Sequence, residues 1–396
     1  MPWHSESIMS QRLEFISAIL HRPPGQSIRD VCRTIGISER VGHKWLARYE
    51  AGGPAALADR SHAPHRPAHQ VAPELVARIL ALREEQPGWG ARKLREVLQR
   101  EAPTSAWPAP STITTLLKRA GVLVARRRSR RERGAWAHTA LTQPRAPNDV
   151  WAADFKGEFR LQRGPYCYPL TISDLSSRYI LSVTALASTA EAPAHATFRR
   201  CFATYGLPRV IRTDNGVPFS APLALGGLST LAVWWIRLGI RPERIERGVP
   251  QQNGAHERMH RTLKADTLRP ASATVAAQQA RFDHWRQTFN TRRPHEALRN
   301  TPPGDHYAPS PRPFPRRLPI LEYPTATDLR RVSCAGDIKW RAQKLFLSTT
   351  LAGEYVGLSE TAEGEWAITF GPLTLGTYSE GTLAFHEALA WTPDTP

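Results

Sequence analysis

Apolar residues in the first fifty positions recur at the spacing of a helix face. In IMSQRLEFISAIL they fall at Ile8, Leu13, Ile16, Ile19 and Leu20, close to the i, i+3, i+4 repeat that lines one side of an α-helix. SIRDVCRTIGISERVGHKWLARYE then predicts two more helices around a turn at Ile35-Gly36-Ile37. The second opens at Ser38, whose side chain can cap the unpaired N–H groups of a first turn. Ile28, Val31, Val41 and Trp45 are expected to form a shared core, the pattern of a helix-turn-helix unit, although a plain helical hairpin reads much the same. If Ser38 starts a recognition helix, Glu39, Arg40, His43 and Lys44 lie on its solvent side, placed to enter a DNA major groove. Residues 51–70, rich in Gly, Pro, Ala and His, read as a linker. A second helical unit follows, with helices over Pro73 to Glu85, after Gly90 and from Ser111, a stop at Gly121, and an exposed cation at Lys93.

From Val150 the period changes from helical to alternating. VWAADFKGEFRL, YCYPLTISDL and RYILSVTAL are aromatic and β-branched runs, read as an antiparallel meander. EAPAHATFRRCFATYG predicts a helix, PRVIRTDNG a strand, GGLSTLAVWWIRLG a helix and IRPERIERG a short strand. A long helix is expected from near Asn253 to beyond Leu268. This order predicts a mixed-sheet α/β domain and not a doubly wound parallel sheet. Residues 294–324 form a proline-laden extended connector, and the short strands after them, with turns at Ala335-Gly336 and Glu363-Gly364, predict a small β-barrel. The chain is therefore expected to be multidomain. Helix-turn-helix units occupy 8–60 and 70–125 (the second helix-turn-helix or winged), an Arg-rich linker 126–147, the α/β domain 148–300, the connector 301–324 and the barrel 325–385.

Charge sharpens this picture. The 396 residues carry a net +18, unevenly spread: 24 Lys/Arg against 12 Asp/Glu in 1–147, 21 against 12 in 148–300, and 8 against 11 in 301–396. Two basic regions point to a polyanion partner. The run RRRSRRER, with Arg126, Arg127, Arg128, Arg130 and Arg131, repels itself too strongly to fold alone and suits a tether lying along phosphates. Four scattered cysteines give no disulfide framework and no paired-cysteine zinc site. No apolar run approaches the roughly 20 residues of a membrane span, and MPWHSESIMSQRLEF lacks a signal-peptide layout. A cytoplasmic, nucleoid-associated protein without membrane contact is expected.

The acids carry the chemistry. Asp154 lies mid-strand among Trp151, Ala153 and Phe155, where a carboxylate is costly unless paired, hydrogen-bonded or metal-bound. Asp214 follows a short strand ahead of Asn215-Gly216; on that fragment alone a turn cap is the commoner role. Asp174, before Ser-Ser, reads as a turn cap. Glu257 sits one turn into the helix that Asn253 could open. A strand, a neighbouring strand end and a helix start can bring Asp154, Asp214 and Glu257 to one point, and oxygen-only clusters suit Mg²⁺ or Mn²⁺. Along that helix Glu257, Arg261 and Lys264 share a face, so the two cations could grip a phosphate beside the acids.

DFKG, RTDNG and PQQNGAHERMHRTLK, in that order and followed by RRPHEAL, resemble the integrase-type catalytic core of DDE transposases and retroviral integrases. The resemblance is greatest to bacterial insertion-sequence transposases with an N-terminal helix-turn-helix, and it covers nearly the whole chain. It implies an RNase H-like core with Asp154, Asp214 and Glu257 as the acidic ligands of two Mg²⁺ or Mn²⁺ ions. Asp154 would bridge both ions, with Asp214 and Glu257 completing one each. It implies cleavage at the element's ends, attack of the freed 3′-hydroxyl on target DNA, recognition of terminal repeats by the helix-turn-helix units, and a homo-multimer at synapsis. The acids stand 60 and 43 residues apart; the second spacing exceeds the family's most compact versions, with the extra residues in VPFSAPLALGGLST. Two rivals are weighed against this reading. His256-Glu257-Arg258-Met259-His260 spells the HExxH string of zinc proteases, but its helix is basic and the reading leaves Asp154 and Asp214 unused. A catalytically silent DNA-binding regulator is the other alternative, and loss of any of the three acids would favour it.

Overall fold

The computed structural model describes residues 7–59, 71–123, 141–246, 248–341 and 343–391. It comprises two compact units, residues 1–72 and 73–396. The first holds α1 (Ile8–Leu20), α2 (Ile28–Ile35) and α3 (Glu39–Gly52). Ser27 and Asp30 cap each other's backbone at the start of α2, and Ser38 caps α3 by accepting from the Val41 N–H. Gly36 takes the left-handed turn between them at φ +80°. The core is Phe15, Ile16, Ile19, Val31, Cys32, Trp45 and Leu57. Val41, expected inside, lies on the surface, as do Ile8, Leu13 and Leu20. The next residue explains the shift. Gly42 is buried, and a Cβ there would sit 2.3 Å from the Cys32 Sγ, so α2 and α3 meet through an absent side chain that an apolarity pattern does not register.

The second unit opens with α4 (Pro73–Glu85), α5 (Ala91–Glu101) and α6 (Pro110–Arg119), packed around Ile79, Leu82, Trp89, Leu94, Leu98 and Ile113. The third helix starts one residue before Ser111, at Pro110, where a missing N–H costs nothing. Six strands follow: β1 (Val150–Phe155), β2 (Phe159–Arg160), β3 (Tyr166–Asp174), β4 (Ile180–Leu186), β5 (Val210–Thr213) and β6 (Arg241–Arg244). The expected meander is present, with β4 antiparallel to β3 and β3 to β1; β5 and β6 then add parallel to β1. VWAADFKGEFRL contributes two strands, because Gly157 (φ +81°) interrupts it.

Helices α7 (Glu191–Tyr205) and α8 (Thr230–Arg237) cover one face through Trp151, Phe198, Phe202 and Trp235. Helices α9 (Gly254–Thr267) and α10 (Val275–Thr291) cover the other through Met259, Leu263, Phe282, Trp285 and Phe289. The helix expected beyond Leu268 breaks there. Pro270 offers no N–H and disfavours helix at Arg269, so a new helix starts five residues later, capped by Thr274.

The C-terminal strands do not close into a barrel. β7 (Asp328–Arg331), β10 (Tyr355–Ala362), β11 (Glu365–Phe370), β12 (Leu373–Ser379) and β13 (Ala384–Trp391) form an open sheet in the order β13-β12-β11-β10-β7. β8 (Asp337–Trp340) and β9 (Gln343–Phe346) make a separate hairpin. The sheet buries its apolar face, including Val356, Leu358, Ile368 and Phe370, in the same core as Trp235 and Ile236 of α8, and Arg237 holds Glu354 at 3.1 Å. A sheet that covers its inner face with a helix need not curl onto itself. Among the described residues no helix is long and apolar enough to cross a membrane. The four cysteines are free.

Candidate active site

Strand register brings Asp154 and Asp214 together. β1 and β5 run parallel with Val150 beside Val210, Trp151 beside Ile211 and Ala152 beside Arg212. Each residue thus pairs with the one 60 positions on, and the same offset carried two residues further sets Asp154 beside Asp214, just past the carboxyl end of β5. Adjacent strands lie about 4.8 Å apart, and directly opposed residues share a face. That face is the one α9 packs against, since Ala255 touches the Val150, Ala152 and Val210 cluster. Glu257 is exposed two residues further along α9.

The Asp154 carboxyl feels both of the other acids. Burial first, and then the Asp214 carboxylate, push the Asp154 carboxyl up to about 7; Lys156 and the Phe155 N–H pull it back, and Glu257 adds a smaller upward push. Asp214 also caps its turn, accepting from the Gly216 N–H at 3.0 Å through Oδ1. The capping role and the cluster position therefore coexist in one side chain. Asp174 is occupied elsewhere: it accepts from the Ser177 N–H and hydroxyl and from the Asn148 N–H, fully buried, as a turn cap would.

The HExxH string has a different use from the one its spelling offers. Thr171, opposite Asp154 in the β1–β3 pair, donates its hydroxyl to the Asp154 carbonyl at 3.0 Å. The same oxygen meets Nε2 of His256 at 2.7 Å and Nε2 of His260 at 2.6 Å. One threonine oxygen thus ties both rings to the carbonyl of Asp154. His256 Nδ1 also meets the Ser173 hydroxyl at 3.0 Å, and His260 Nδ1 faces Asp154 Oδ2 at 3.6 Å. Burial holds the two imidazoles neutral, pushing His256 down to about 3 and His260 to about 2. A zinc-protease site needs both Nε2 atoms on the ion, and here both are spent on a threonine. Asp154, His256 and His260 still offer three ligand atoms within 4.8 Å of one another. Replacing Thr171 with valine is expected to leave two buried ring nitrogens without a partner, at roughly 1–3 kcal/mol each. Urea unfolding of Thr171→Val should show the loss and Thr171→Ser should restore it; equal stability of all three proteins would refute the assignment.

The other residues singled out in the sequence are spread over several elements. Arg40, His43 and Lys44 are exposed along α3. Arg261 and Lys264 lie on α9, Arg261 exposed and Lys264 on its next turn. Lys93 on α5, expected to be exposed, is half-buried and lines one cavity of the second unit with Arg261. Arg126, Arg127, Arg128, Arg130 and Arg131 lie outside the described residues. Sequence reasoning missed Lys156, Thr171 and Ser173 as neighbours of the acids. Lys156 stands two residues after Asp154, a legible signal; the other two have none outside the strand pairing.

Comparison with known proteins agrees with this architecture. Two family profiles described as "Integrase core domain" match residues 144–250 and 238–303. A "Helix-turn-helix domain" profile matches 11–67 and a "Homeodomain-like domain" profile 41–117. The chain is 27% identical over 283 residues to an insertion element IS407 uncharacterized 31.7 kDa protein of Burkholderia multivorans, covering 71% of this chain and 91% of that protein. It is 27% identical over 249 residues to an insertion element IS476 uncharacterized 39.2 kDa protein of Xanthomonas euvesicatoria, covering 62% and 68%. A solved HTLV-2 integrase catalytic core domain in complex with magnesium aligns over 42% of this chain and 100% of its own at 16% identity, with a TM-score of 0.30, too low to carry an argument. With integrase-core matches across the mixed sheet and α9, helix-turn-helix matches ahead of them, and insertion-element proteins among its relatives, the chain carries an integrase-type core preceded by helix-turn-helix regions and is similar to insertion-element proteins.

Proposed function

We propose that this protein is a DNA transposase that cuts the ends of its own element and joins them to target DNA, using Asp154, Asp214 and Glu257 to hold two Mg²⁺ or Mn²⁺ ions. The observation that carries the proposal is the parallel β1–β5 register, which sets Asp154 beside Asp214 on the face covered by α9. The donor set fits a hard divalent cation. Three carboxylates would supply oxygen ligands, and a bound positive charge would offset the burial and the repulsion that raise Asp154. When bound, such an ion pair stabilises the attacking and leaving oxygens of an in-line phosphoryl displacement. The chain's own groups do the rest. Thr171 and the two neutral histidines fix α9 against β1 and β3, one residue before the exposed Glu257. Arg261 and Lys264, one and two turns beyond Glu257, can hold the phosphate being cut. Water first frees a 3′-hydroxyl at the element's end, and that hydroxyl then attacks target DNA. Exposed Arg40, His43 and Lys44 on α3 would read the terminal repeats, and joining two ends calls for more than one copy of the chain. The test is a Mg²⁺-dependent nicking assay on DNA carrying the element's ends; a protein that binds this DNA but never cuts it is the silent regulator instead.

Acidity offers an independent check. The folded protein binds the Asp154 proton more tightly than the unfolded chain does. The metal-free protein should therefore lose stability as pH rises from the ordinary aspartate value, near 4, to about 7. A divalent cation competes with that proton. Thermal unfolding with and without Mn²⁺ should show a larger gain at about pH 8 than at about pH 5; equal gains would remove Asp154 from the ion site.

A further inference from the structure

The loop between Asp214 and α8, which carries the extra residues of VPFSAPLALGGLST, is held from two sides. Phe219, Leu225 and Leu228 anchor one side in the core that includes Trp235 of α8. The other side arches over a cavity of about 590 Å³ lined by Asn215, Ser220, Arg244, Glu387 and Leu389, among others. Glu387 and Leu389 come from β13, the edge strand of the C-terminal sheet. We propose that these two residues latch the loop onto Arg244 and so act as positioning residues for Asp214, which gives the C-terminal sheet a part in assembling the acid cluster.

A continuous line of bonds joins the strand to the acid. Glu387 Oε1 accepts from the Gly226 N–H at 2.7 Å. The Arg244 guanidinium donates to the Gly226 carbonyl, and at 3.1 Å to both the Gly227 carbonyl and the Ser220 hydroxyl. Arg244 lies on β6 directly beside Thr213, so it gathers the loop next to the strand end that carries Asp214. The Ser220 hydroxyl and the Ala221 N–H close the loop's neck on the Gly227 carbonyl, at 3.3 and 3.0 Å. The Phe219 and Ser220 N–H groups then return to the Gly216 carbonyl at 2.9 and 3.1 Å. Gly216 is the residue whose N–H holds Asp214 Oδ1.

Two glycines show that the grip is built into the chain. Gly226 and Gly227 adopt φ +56° and +66°, a region that glycine enters without steric cost. A Cβ on Gly226 would overlap the Leu389 side chain, and one on Gly227 the Arg244 guanidinium. Each missing side chain is thus replaced by one reaching in from another strand. Leu389 is still 38% exposed and Glu387 is exposed, so neither is a core residue of its own sheet. One solvated hydrogen bond adds little to global stability, yet it can govern whether a loop opens locally. For its meaning at the acids the inference rests on the transposase reading; the latch itself is a property of the metal-free chain.

The experiment is hydrogen exchange of the full metal-free chain, read by mass spectrometry in peptides spanning residues 214–221. These peptides contain neither Gly226 nor β13, so a change in them must be transmitted along the loop. Glu387→Ala and Leu389→Ala should each accelerate exchange there about three- to tenfold, the effect of losing one partly solvated contact. Peptides from β1, β3 and α10 should keep wild-type rates. Glu387→Gln retains an oxygen acceptor for the Gly226 N–H and should stay within about twofold of wild type. Mn²⁺ titration by electron paramagnetic resonance should then show affinity weakened about threefold in the two alanine variants only, because a turn that is competent part of the time binds in proportion to that part. Wild-type exchange in both alanine variants overturns the latch. Equal acceleration in Glu387→Gln and Glu387→Ala also overturns it, since charge and not the bond would be responsible. Acceleration spread evenly over the second unit would make the contact merely structural, and a looser loop with unaltered Mn²⁺ affinity would remove the positioning of Asp214. If wild type binds no Mn²⁺, the acid-cluster reading fails while the exchange result still decides the latch. If exchange and Mn²⁺ affinity change as expected but wild type never nicks DNA carrying the element's ends, the latch stands and the transposase chemistry fails.

Discussion

Asp154→Asn is expected to abolish DNA cleavage while making the protein harder to unfold. Asp154 is a mostly buried carboxyl whose value of about 7 reflects burial and the fields of Asp214 and Glu257. At pH 8 the folded state must carry this charge against that cost, and the unfolded chain need not. A tenfold difference in proton affinity between the folded and unfolded chains is worth about 1.4 kcal/mol, so the neutral amide should recover roughly 2–4 kcal/mol in metal-free buffer, an upper range because solvent and side-chain relaxation screen the group. Cleavage should fall by at least about a thousandfold, about 4 kcal/mol in barrier height, because an amide holds divalent ions poorly. Asp214→Asn should share the loss of cleavage. It should share less of the gain in stability, since its carboxylate also caps the turn through the Gly216 N–H. DNA binding by both variants should stay within about twofold of wild type, because the cations proposed to contact phosphate are untouched. Urea unfolding, anisotropy and nicking on the same preparations separate these effects. An Asp154→Asn protein that still cuts DNA removes the acid cluster from the mechanism.

The largest stability loss is expected from Glu243→Ala. Arg212 and Glu243 are neighbours on β5 and β6, each with only 7% of its side chain exposed, and their Nε–Oε2 distance is 2.7 Å. Glu243 Oε1 also accepts from the backbone N–H and the hydroxyl of Thr142, both at 2.8 Å, and Arg212 donates to the Thr142 carbonyl at 2.5 Å. Truncating the acid leaves a guanidinium buried without its counter-charge, which costs about 3–5 kcal/mol. Replacing both partners, Arg212→Met with Glu243→Leu, should recover much of that loss, as the penalty lies in the stranded charge and not in the absent pair. The pair also sets where the chain after the Arg-rich run joins the catalytic sheet, because Thr142 is its third member. Urea midpoints that do not distinguish Glu243→Ala from wild type would disprove this role of the buried ion pair.

Particular residues show where sequence reasoning reaches and where it stops. Ser38 and Ser27 act through neighbours three positions away, so their caps, and the helices they open, are legible. The alternating runs from Val150 predict the meander because alternation is the physical signature of a strand between two environments. The phase of α1 and the place of Val41 escape an apolarity pattern because Gly42 contributes a gap, which depends on what packs into it. The helix break at Pro270 is written in the chain, yet the helical period on either side of it masks the interruption. The open C-terminal sheet cannot be read from its own strands, since what spares it closure is α8, more than a hundred residues earlier than most of them.

The amino-acid sequence by itself determined the elements, the order of motifs and the uneven charge, because caps, turns and periodicity act over a few residues. Only the tertiary structure decided which distant groups share one environment. Asp154 meets Asp214 through a 60-residue strand offset, Thr171 gathers two histidines from α9, and β13 meets the loop after Asp214. Those outcomes depend on strand register and helix packing, where burial turns a solvated charge into a strong field, and no local pattern in the chain encodes them.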